Sequence, residues 1–190
     1  MSVNGKTYPG SLRIHRRQGG LLVVTSVDLD TYLKGAVPSE MPASWPEEAL
    51  KAQAVVSRSF VLFHALRNSE KDYDIGSKTQ VYNPDKRDAR TDKAVDATRK
   101  TVLFYKGKLL LSFFSTSCGG FTEYAGNVWQ SEGEFPPPVR CPFCQEAEGF
   151  RWRARMTSNQ LRRRLRAAGV PGARGIAVRR KSASGGRVTA

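Results

Sequence analysis

A helix start followed by an alanine-containing run constrains the fold more than any other feature of the chain. Ser44 and Glu47 have the S-x-x-E spacing of a capping box, and Pro46 suits the first turn of a helix. Alanine recurs three times in residues 49–56, and such small side chains allow close packing against a sheet. We therefore predict a long central helix over residues 45–66.

The remaining elements predict an α+β fold, with mixed strands packed on the long central helix. Apolar and β-branched runs next to glycine turns are typical of strands. A helical turn that Gly35 ends is expected over residues 30–35, and a short helix near residues 91–98. The predicted strands cover residues 12–16 and 21–27, which a turn at residues 18–20 joins as a hairpin, and residues 102–105 and 108–114, which Lys106 and Gly107 join.

The length of 190 residues indicates one domain with an appendage, because two full domains need more chain. We predict a domain over residues 1–170 and a basic segment over residues 171–190 that is an incomplete strand region. The apolar stretches are much shorter than the roughly 20 residues that cross a bilayer, so no transmembrane segment is expected. No signal peptide is visible in the first residues.

The net charge of +14 is concentrated at one end of the chain. Residues 1–150 contain 19 Lys/Arg and all 17 Asp/Glu, whereas residues 151–190 contain 12 Lys/Arg and no acidic residue. The basic end attracts polyanions without choosing among nucleic acid, anionic lipid and cell-wall polymer. Trp152 and the arginines of residues 162–166 offer stacking and charge to nucleic acid. Because the rest of the chain is nearly neutral, nucleic acid is not the expected partner.

Glu40 is the first candidate catalytic residue. It lies between Pro38 and Pro42 and just before the predicted long helix. A proline disfavours helix in the residue before it, so we expect Glu40 in a defined, non-helical loop. A carboxylate that is fixed and only partly solvated can act as a general acid.

Two cations on the long helix accompany this acid. Lys51 and Arg58 are seven residues apart, which places them about 20° apart around the helix. One interpretation is that both cations face a groove near Glu40. The other is that Glu40 caps a segment, Lys51 pairs with Glu47 and Arg58 is an ordinary surface side chain with its stem on apolar neighbours.

A second polar segment, residues 115–123, directly follows a predicted strand. Its small hydroxyl residues precede Gly119 and Gly120, which would let the backbone approach a sugar chain closely. The alternative is a tight polar turn that leaves the strand. Glu123, at its end, is a candidate second carboxylate.

The three cysteines leave two readings open. Cys141 and Cys144 form a C-x-x-C pair and Cys118 is a third thiol, which suits either a structural zinc site that needs a fourth ligand or a dithiol that is free or oxidised. Any bound metal is expected on Cys141 and Cys144, with Cys118 as the third thiol. A Cys118 nucleophile with His15 or His64 is disfavoured, because these histidines fall in a predicted strand and late on the long helix.

These motifs together resemble one known family. The pattern P-S-E-M-P followed by W-P-x-E-A-L-K-A-Q-A is highly specific and is similar to the SpoIID/LytB domain of sporulation stage II protein D and amidase-enhancer-like proteins. The resemblance runs in order from about residue 3 to residue 165. The segments that carry it are residues 32–42, 45–55, 79–82 and 117–123.

The resemblance implies a lytic transglycosylase that cleaves the β-1,4 bond between N-acetylmuramic acid and N-acetylglucosamine in peptidoglycan and needs no cofactor. It implies Glu40 as the catalytic acid and base. An alternative is a non-catalytic glycan binder that stimulates a cell-wall amidase. Either role implies an extracytoplasmic location at the cell wall. The implied substrate-binding residues are Lys51, Arg58, Gln80, Thr116, Ser117 and Thr122.

The sequence departs from the family pattern at two places. Some sporulation members bind zinc through Cys and His just before the Gln-Val-Tyr segment, but residues 74–80 contain neither residue type and are expected to bind no metal. The family fold also continues beyond the segment that resembles residues 184–189. We therefore expect the chain to be a C-terminally truncated form of the fold.

Overall fold

The computed structural model describes residues 1–129, 134–147, 150–172, 175–183 and 186–188. The chain divides into two compact units, Met1–Phe114 and Ser115–Ala190. The first unit contains strands β1 (Ser2–Val3), β2 (Lys6–Thr7), β3 (Ser11–Arg17) and β4 (Gly20–Ser26), helices α1 (Leu29–Glu40), α2 (Glu47–Arg67) and α3 (Ala89–Ala97), and strands β5 (Phe104–Tyr105) and β6 (Lys108–Leu109). The second unit contains helix α4 (Ser158–Ala167) and two 3₁₀ turns, Ala125–Asn127 and Phe143–Glu146.

The predicted long helix is present as α2. It begins at Glu47, and its N-cap, Pro46, makes no side-chain capping hydrogen bond, so the predicted capping box is wrong. The Glu47 side chain pairs instead with Lys51, one turn further along α2. The helix ends at Arg67, one residue beyond the predicted range.

The core of the first unit lies among three helices. Leu33 and Val37 of α1 pack with Ala54 of α2 and Val95 of α3, and all four are fully buried. In the part of the chain that the structure describes, the main packing partners of α2 are therefore helices, not the sheet we expected. The segment just before β5 also contacts α2, where the Leu103 N–H donates to Ser59 Oγ at 2.9 Å.

Mixed helix and strand content agrees with the predicted α+β class. Among the described residues, the small sheets are three antiparallel hairpins, β1–β2, β3–β4 and β5–β6. In the β3–β4 hairpin, Arg17 pairs with Gly20 across a two-residue turn in which Gly19 has a φ of 87°. In the β5–β6 hairpin, Lys106 and Gly107 both have positive φ, as a type I′ turn requires. Both predicted hairpins are confirmed, the second with shorter strands.

Helix α1 differs from the prediction. It is N-capped by Asp28, whose carboxylate accepts from the Thr31 N–H, and it continues through Gly35 and Pro38 to Glu40. Gly35 does not end the helix. A Cβ on Gly35 would lie 2.7 Å from the Tyr82 ring, so glycine is needed there for close packing.

The second unit has little apolar core. Among its described residues, Ala125 and Phe135 are the only buried hydrophobic side chains. Helix α4 has a complete capping box from Thr157 and Gln160, and its surface is rich in arginine. The predicted boundary between residues 170 and 171 stays a prediction, and part of the predicted incomplete strand region lies outside the described residues. None of the described helices is both long enough and apolar enough to cross a membrane.

Candidate functional site

Glu40 is the last residue of α1, so the expectation that it lies in a non-helical loop is wrong. Pro38 is tolerated in the helix, where it lies among the buried residues of the final turns. The Glu40 side chain is half-buried, and its Oε1 accepts a hydrogen bond from the Val81 N–H at 3.0 Å. The carboxylate is therefore fixed by a backbone group 41 residues away, and not by flanking prolines.

Gln80 and two tyrosines lie beside this carboxylate. The Tyr32 hydroxyl donates to Gln80 Oε1 at 3.2 Å, and the Tyr32 and Tyr82 rings stack with centroids 4.7 Å apart. Burial raises the pKa of the Tyr32 phenol above its ordinary value, with added contributions from Tyr82 and from the charge of Glu40. We call Tyr32, Glu40, Gln80, Val81 and Tyr82 the Glu40 cluster. It joins α1 to the segment that follows residue 79.

The structure thus brings Gln80 close to Glu40, but it buries the Gln80 side chain to 5% exposure. Sequence reasoning missed Tyr32 as a site residue. The available signal was the eight-residue spacing of Tyr32 and Glu40, which places them about 80° apart around one helix. The predicted helix end at Gly35 concealed that spacing.

A surface cavity of about 270 Å³ adjoins this region. It is lined by Gly35 and Tyr82, among other residues, but not by Glu40 or Gln80. The cavity and the Glu40 cluster share the Tyr82 ring. The cavity itself is not the place where the Glu40 carboxylate would meet a ligand.

Lys51 is engaged with acidic neighbours on α2. Its Nζ lies 3.1 Å from Glu47 Oε1 and 2.8 Å from Glu48 Oε1. Hydrogen bonds to Glu48 and Glu47 raise the pKa of the Lys51 ammonium. The alternative in which Lys51 pairs with Glu47 is therefore confirmed, and a role of Lys51 in substrate binding stays a prediction.

Arg58 does not face a groove, because its side chain is only 2% exposed. Its Nη2 donates to Asp30 Oδ1 at 3.2 Å and to the Val95 carbonyl at 3.1 Å. Its Nη1 donates to the Thr101 carbonyl at 3.3 Å and to Thr98 Oγ1 at 3.4 Å. The expected groove-facing position is wrong, and so is the alternative of an ordinary surface side chain. Arg58, which lies on α2, therefore links α1, α3 and the segment after α3 through its hydrogen bonds.

Asp30 is the acidic partner of this buried arginine. Burial pushes the pKa of the Asp30 carboxyl up, but hydrogen bonds from Arg99 and Arg58 outweigh burial and hold it below its usual value. Arg99 Nε lies 2.9 Å from Asp30 Oδ2. The folded first unit therefore favours the ionised form of Asp30.

Thr116, Ser117 and Thr122 belong to the second unit. Thr116 is exposed, and Ser117 Oγ accepts from the Gly119 N–H at 3.3 Å. Thr122 Oγ1 accepts from the Val139 N–H at 2.8 Å. Ser117 and Thr122 thus shape the turn after residue 114, and their contribution to substrate binding stays a prediction.

Glu123 is used inside the second unit. Its Oε1 accepts from the Tyr124 N–H at 2.8 Å and from Asn127 Nδ2 at 3.0 Å. Its Oε2 lies 3.5 Å from Arg187 Nη1, and the side chain is 9% exposed. These contacts give Glu123 a structural role in its own unit.

The three cysteines converge in the second unit. Their sulfur atoms all lie within 4.8 Å of one another, and this is the one group of three metal-binding side chains found among the described residues. Burial raises the pKa of the Cys118 thiol, and hydrogen bonds from Cys118 lower the pKa of the Cys144 thiol. All three cysteines are free thiols in the structure.

Comparison with known proteins gives a consistent result. The family model described as "Stage II sporulation protein" (SpoIID) matches residues 17–105, which include Glu40 and the rest of its cluster. The amidase enhancer of Bacillus subtilis is 40% identical over 99 residues, covering 52% of this chain and 14% of that protein.

Two further relatives match over a longer stretch. Stage II sporulation protein D of Bacillus subtilis is 30% identical over 179 residues, covering 84% of this chain and 51% of that protein. An uncharacterised protein of Brachyspira hyodysenteriae is 38% identical over 164 residues, covering 84% of this chain and 44% of that protein. The chain spans about half or less of the length of the curated relatives it matches.

Proposed function

Since this chain belongs to the SpoIID family through residues 17–105, we propose that it acts on the bacterial cell wall as a peptidoglycan lytic transglycosylase. The proposed reaction breaks the β-1,4 bond between N-acetylmuramic acid and N-acetylglucosamine and leaves a 1,6-anhydro end. The observation that carries this proposal is the half-buried Glu40 carboxylate held by the Val81 N–H at 3.0 Å.

A single carboxylate is sufficient for this reaction. Ordinary glycosidases use two carboxylates, one for the leaving group and one for a nucleophile or water. In a lytic transglycosylase the 6-hydroxyl of the muramic acid attacks its own anomeric carbon, so the nucleophile is already in place. Glu40 protonates the leaving glycosidic oxygen and then accepts the proton of the 6-hydroxyl.

The hydrogen bonding of Glu40 is consistent with different roles for its two carboxylate oxygens. Oε1 accepts the Val81 N–H, and we assign the proton transfer to the other oxygen, Oε2. A carboxylate whose orientation is fixed loses little freedom when the sugar arrives, which lowers the barrier by orientation alone.

Gln80 and Tyr32 are positioning residues in this proposal. The hydrogen bond between Tyr32 and Gln80 holds the residue next to Val81, and Val81 in turn holds Glu40. A side chain that is only 5% exposed reaches a sugar poorly. We therefore expect Gln80 to affect turnover more than glycan affinity.

The substrate and location follow from the same proposal. The partner is a peptidoglycan glycan strand at the cell wall, outside the cytoplasm. The excess of 12 Lys/Arg in residues 151–190 would add attraction to anionic wall polymers. Lys51 and the hydroxyl residues Thr116, Ser117 and Thr122 remain proposed substrate contacts.

Digestion of purified glycan strands with mass detection of anhydro-ended fragments tests the proposal. We predict that Glu40→Gln keeps the fold, because the amide preserves the shape and can still accept the Val81 N–H, but abolishes cleavage. The matched control is Glu70→Gln, which removes an exposed carboxylate of the first unit and should cleave like wild type. Anhydro product from Glu40→Gln at the wild-type level would end the assignment of Glu40.

A second candidate function rests on the similarity to the amidase enhancer. In that case the chain holds glycan and stimulates a cell-wall amidase without cutting the strand. Glu40→Gln would then leave both glycan binding and amidase stimulation unchanged, and wild type would release no anhydro ends.

A further inference from the structure

We propose that Cys118, Cys141 and Cys144 form a structural zinc site that stabilises the second unit. The site lies outside the residues matched by the family model and outside the Glu40 cluster. It is independent of the proposed cleavage reaction.

The spacing of the sulfur atoms supports a shared metal ion. The Cys118 and Cys144 sulfurs are 3.2 Å apart, and the Cys141 and Cys144 sulfurs are 3.6 Å apart. Thiolates bound tetrahedrally to one zinc ion at about 2.3 Å lie roughly 3.8 Å from each other. Two sulfurs in a disulfide lie about 2 Å apart. The observed distances are nearer to those of a shared zinc ion than to a disulfide.

Backbone pairing brings the two cysteine segments together. The Thr122 N–H donates to the Val139 carbonyl at 2.9 Å, and the Cys141 N–H donates to the Gly120 carbonyl at 2.9 Å. Cys118, two residues before Gly120, therefore lies at the same end of this paired stretch as Cys141. The three thiols are positioned by main-chain hydrogen bonds and need little rearrangement to bind an ion.

The glycine turn after Cys118 also suits a metal site. Gly119 and Gly120 both have positive φ, which glycine adopts at little conformational cost, and the Phe121 N–H donates to the Cys118 carbonyl at 3.4 Å across this turn. The turn therefore fixes the backbone that carries the Cys118 thiol.

A metal site would stabilise the second unit, whose described residues bury few hydrophobic side chains. Among the described residues of this unit, Ala125 and Phe135 are the only buried hydrophobic side chains, which is little apolar burial for a domain of its size. Small units of this kind are usually stabilised by a metal or by disulfides. An ion at the three cysteines would join residues 118–122 to residues 139–144.

The chemistry of the ligand set favours zinc. Three thiolates select soft or borderline ions, among which zinc forms structural tetrahedral sites. Both histidines of the chain precede residue 115, so the fourth ligand is not a histidine of the second unit. A water molecule or a carboxylate would complete the coordination. Three thiolates and one zinc ion leave a net negative charge, and the Arg187 guanidinium, which donates to the Cys118 carbonyl, partly offsets it.

Metal analysis of the 190-residue chain tests the proposal directly. Protein purified under reducing conditions and dialysed against metal-free buffer should contain one zinc ion per chain. Cys141→Ser should lower zinc affinity by at least about tenfold. The control is Phe143→Ser, which alters the centre of the C-x-x-C pair without removing a thiol. It should keep its zinc, because Phe143 is 85% exposed.

A second measurement covers the case in which Cys141→Ser does not fold. Metal-free wild-type protein titrated with Co²⁺ should develop thiolate-to-cobalt absorption that saturates at one equivalent, and alkylation of the cysteines should prevent it. A chain without zinc whose three thiols all react as free cysteines would overturn the proposal. Iron in place of zinc, or a Cys141–Cys144 disulfide found by mass mapping, would also overturn it.

Discussion

Replacement of Arg58 by alanine should destabilise the first unit strongly. The guanidinium is 2% exposed and donates to the Asp30 carboxylate, to the Val95 and Thr101 carbonyls and to the Thr98 hydroxyl. Removal of one partner from a buried ion pair costs about 3–5 kcal/mol, because it leaves the other charge and the carbonyls unsatisfied.

The surroundings place Arg58→Ala at the lower end of this range. Asp30 keeps its contact with Arg99 at 2.9 Å, and the Val95 carbonyl keeps the Thr98 hydroxyl at 3.3 Å. We therefore expect a loss of about 3 kcal/mol in the free energy of unfolding. For a chain of this size that loss lowers the Tm by roughly 10 °C. Arg58→Lys keeps the charge but loses the planar fork, so it should fall between the two proteins.

Thermal unfolding followed by far-UV circular dichroism measures the effect. Cleavage of glycan strands should be assayed well below the Tm and expressed per folded molecule. Lys51→Ala is the control on the same helix. In the part of the chain that the structure describes, the Lys51 side chain pairs with two exposed acids near the start of α2, so the Tm of this variant should match wild type.

A Tm of Arg58→Ala within about 2 °C of the wild-type Tm would contradict the predicted contribution of Arg58 to stability. If that variant also loses cleavage per folded molecule, Arg58 acts on the substrate and the buried hydrogen bonds contribute little to stability. If it melts early but its folded fraction cleaves normally, Arg58 is a structural residue only.

Two further predictions concern the elements around the Glu40 cluster. Gly35→Ala should destabilise the protein by about 1–2 kcal/mol and reduce cleavage, because its Cβ would lie 2.7 Å from the Tyr82 ring and 2.9 Å from the Asn83 carbonyl oxygen. The control for denaturant unfolding is Gly20→Ala, whose Cβ would have no atom within 4 Å. Equal unfolding midpoints of the two variants would contradict the packing argument. The free energy of unfolding should decrease as the pH is lowered past about 4. The folded state lowers the pKa of Asp30 and so favours the charged carboxylate. The stability that this carboxylate contributes is present above the ordinary pKa of Asp and is lost when Asp30 is protonated. Urea unfolding from pH 7 to 3 should show a shallower decline for Asp30→Asn, and an identical decline would contradict the assignment.

The sequence alone determined the features that depend on a few neighbouring residues. The Gly19 and Lys106–Gly107 turns fixed two hairpins, because positive φ values are cheap at glycine and set the register of a two-residue turn. The long helix α2 and the division of charge along the chain could also be predicted, and so could the grouping of the cysteines as a candidate metal site. Each of these follows from local backbone preferences or from composition.

Tertiary structure decided the environment of the candidate site. Glu40 is held by Val81, 41 residues away, and Arg58 by the Val95 carbonyl, 37 residues away. Local helix-end preferences predicted that α1 ends at Gly35. In the structure, however, Gly35 packs closely against Tyr82 and is part of a continuous helix. The sequence also predicted a surface position for Arg58, although four hydrogen-bond acceptors from distant segments make its burial favourable. Such contacts form only when the three helices have packed, so no pattern within one segment can predict them.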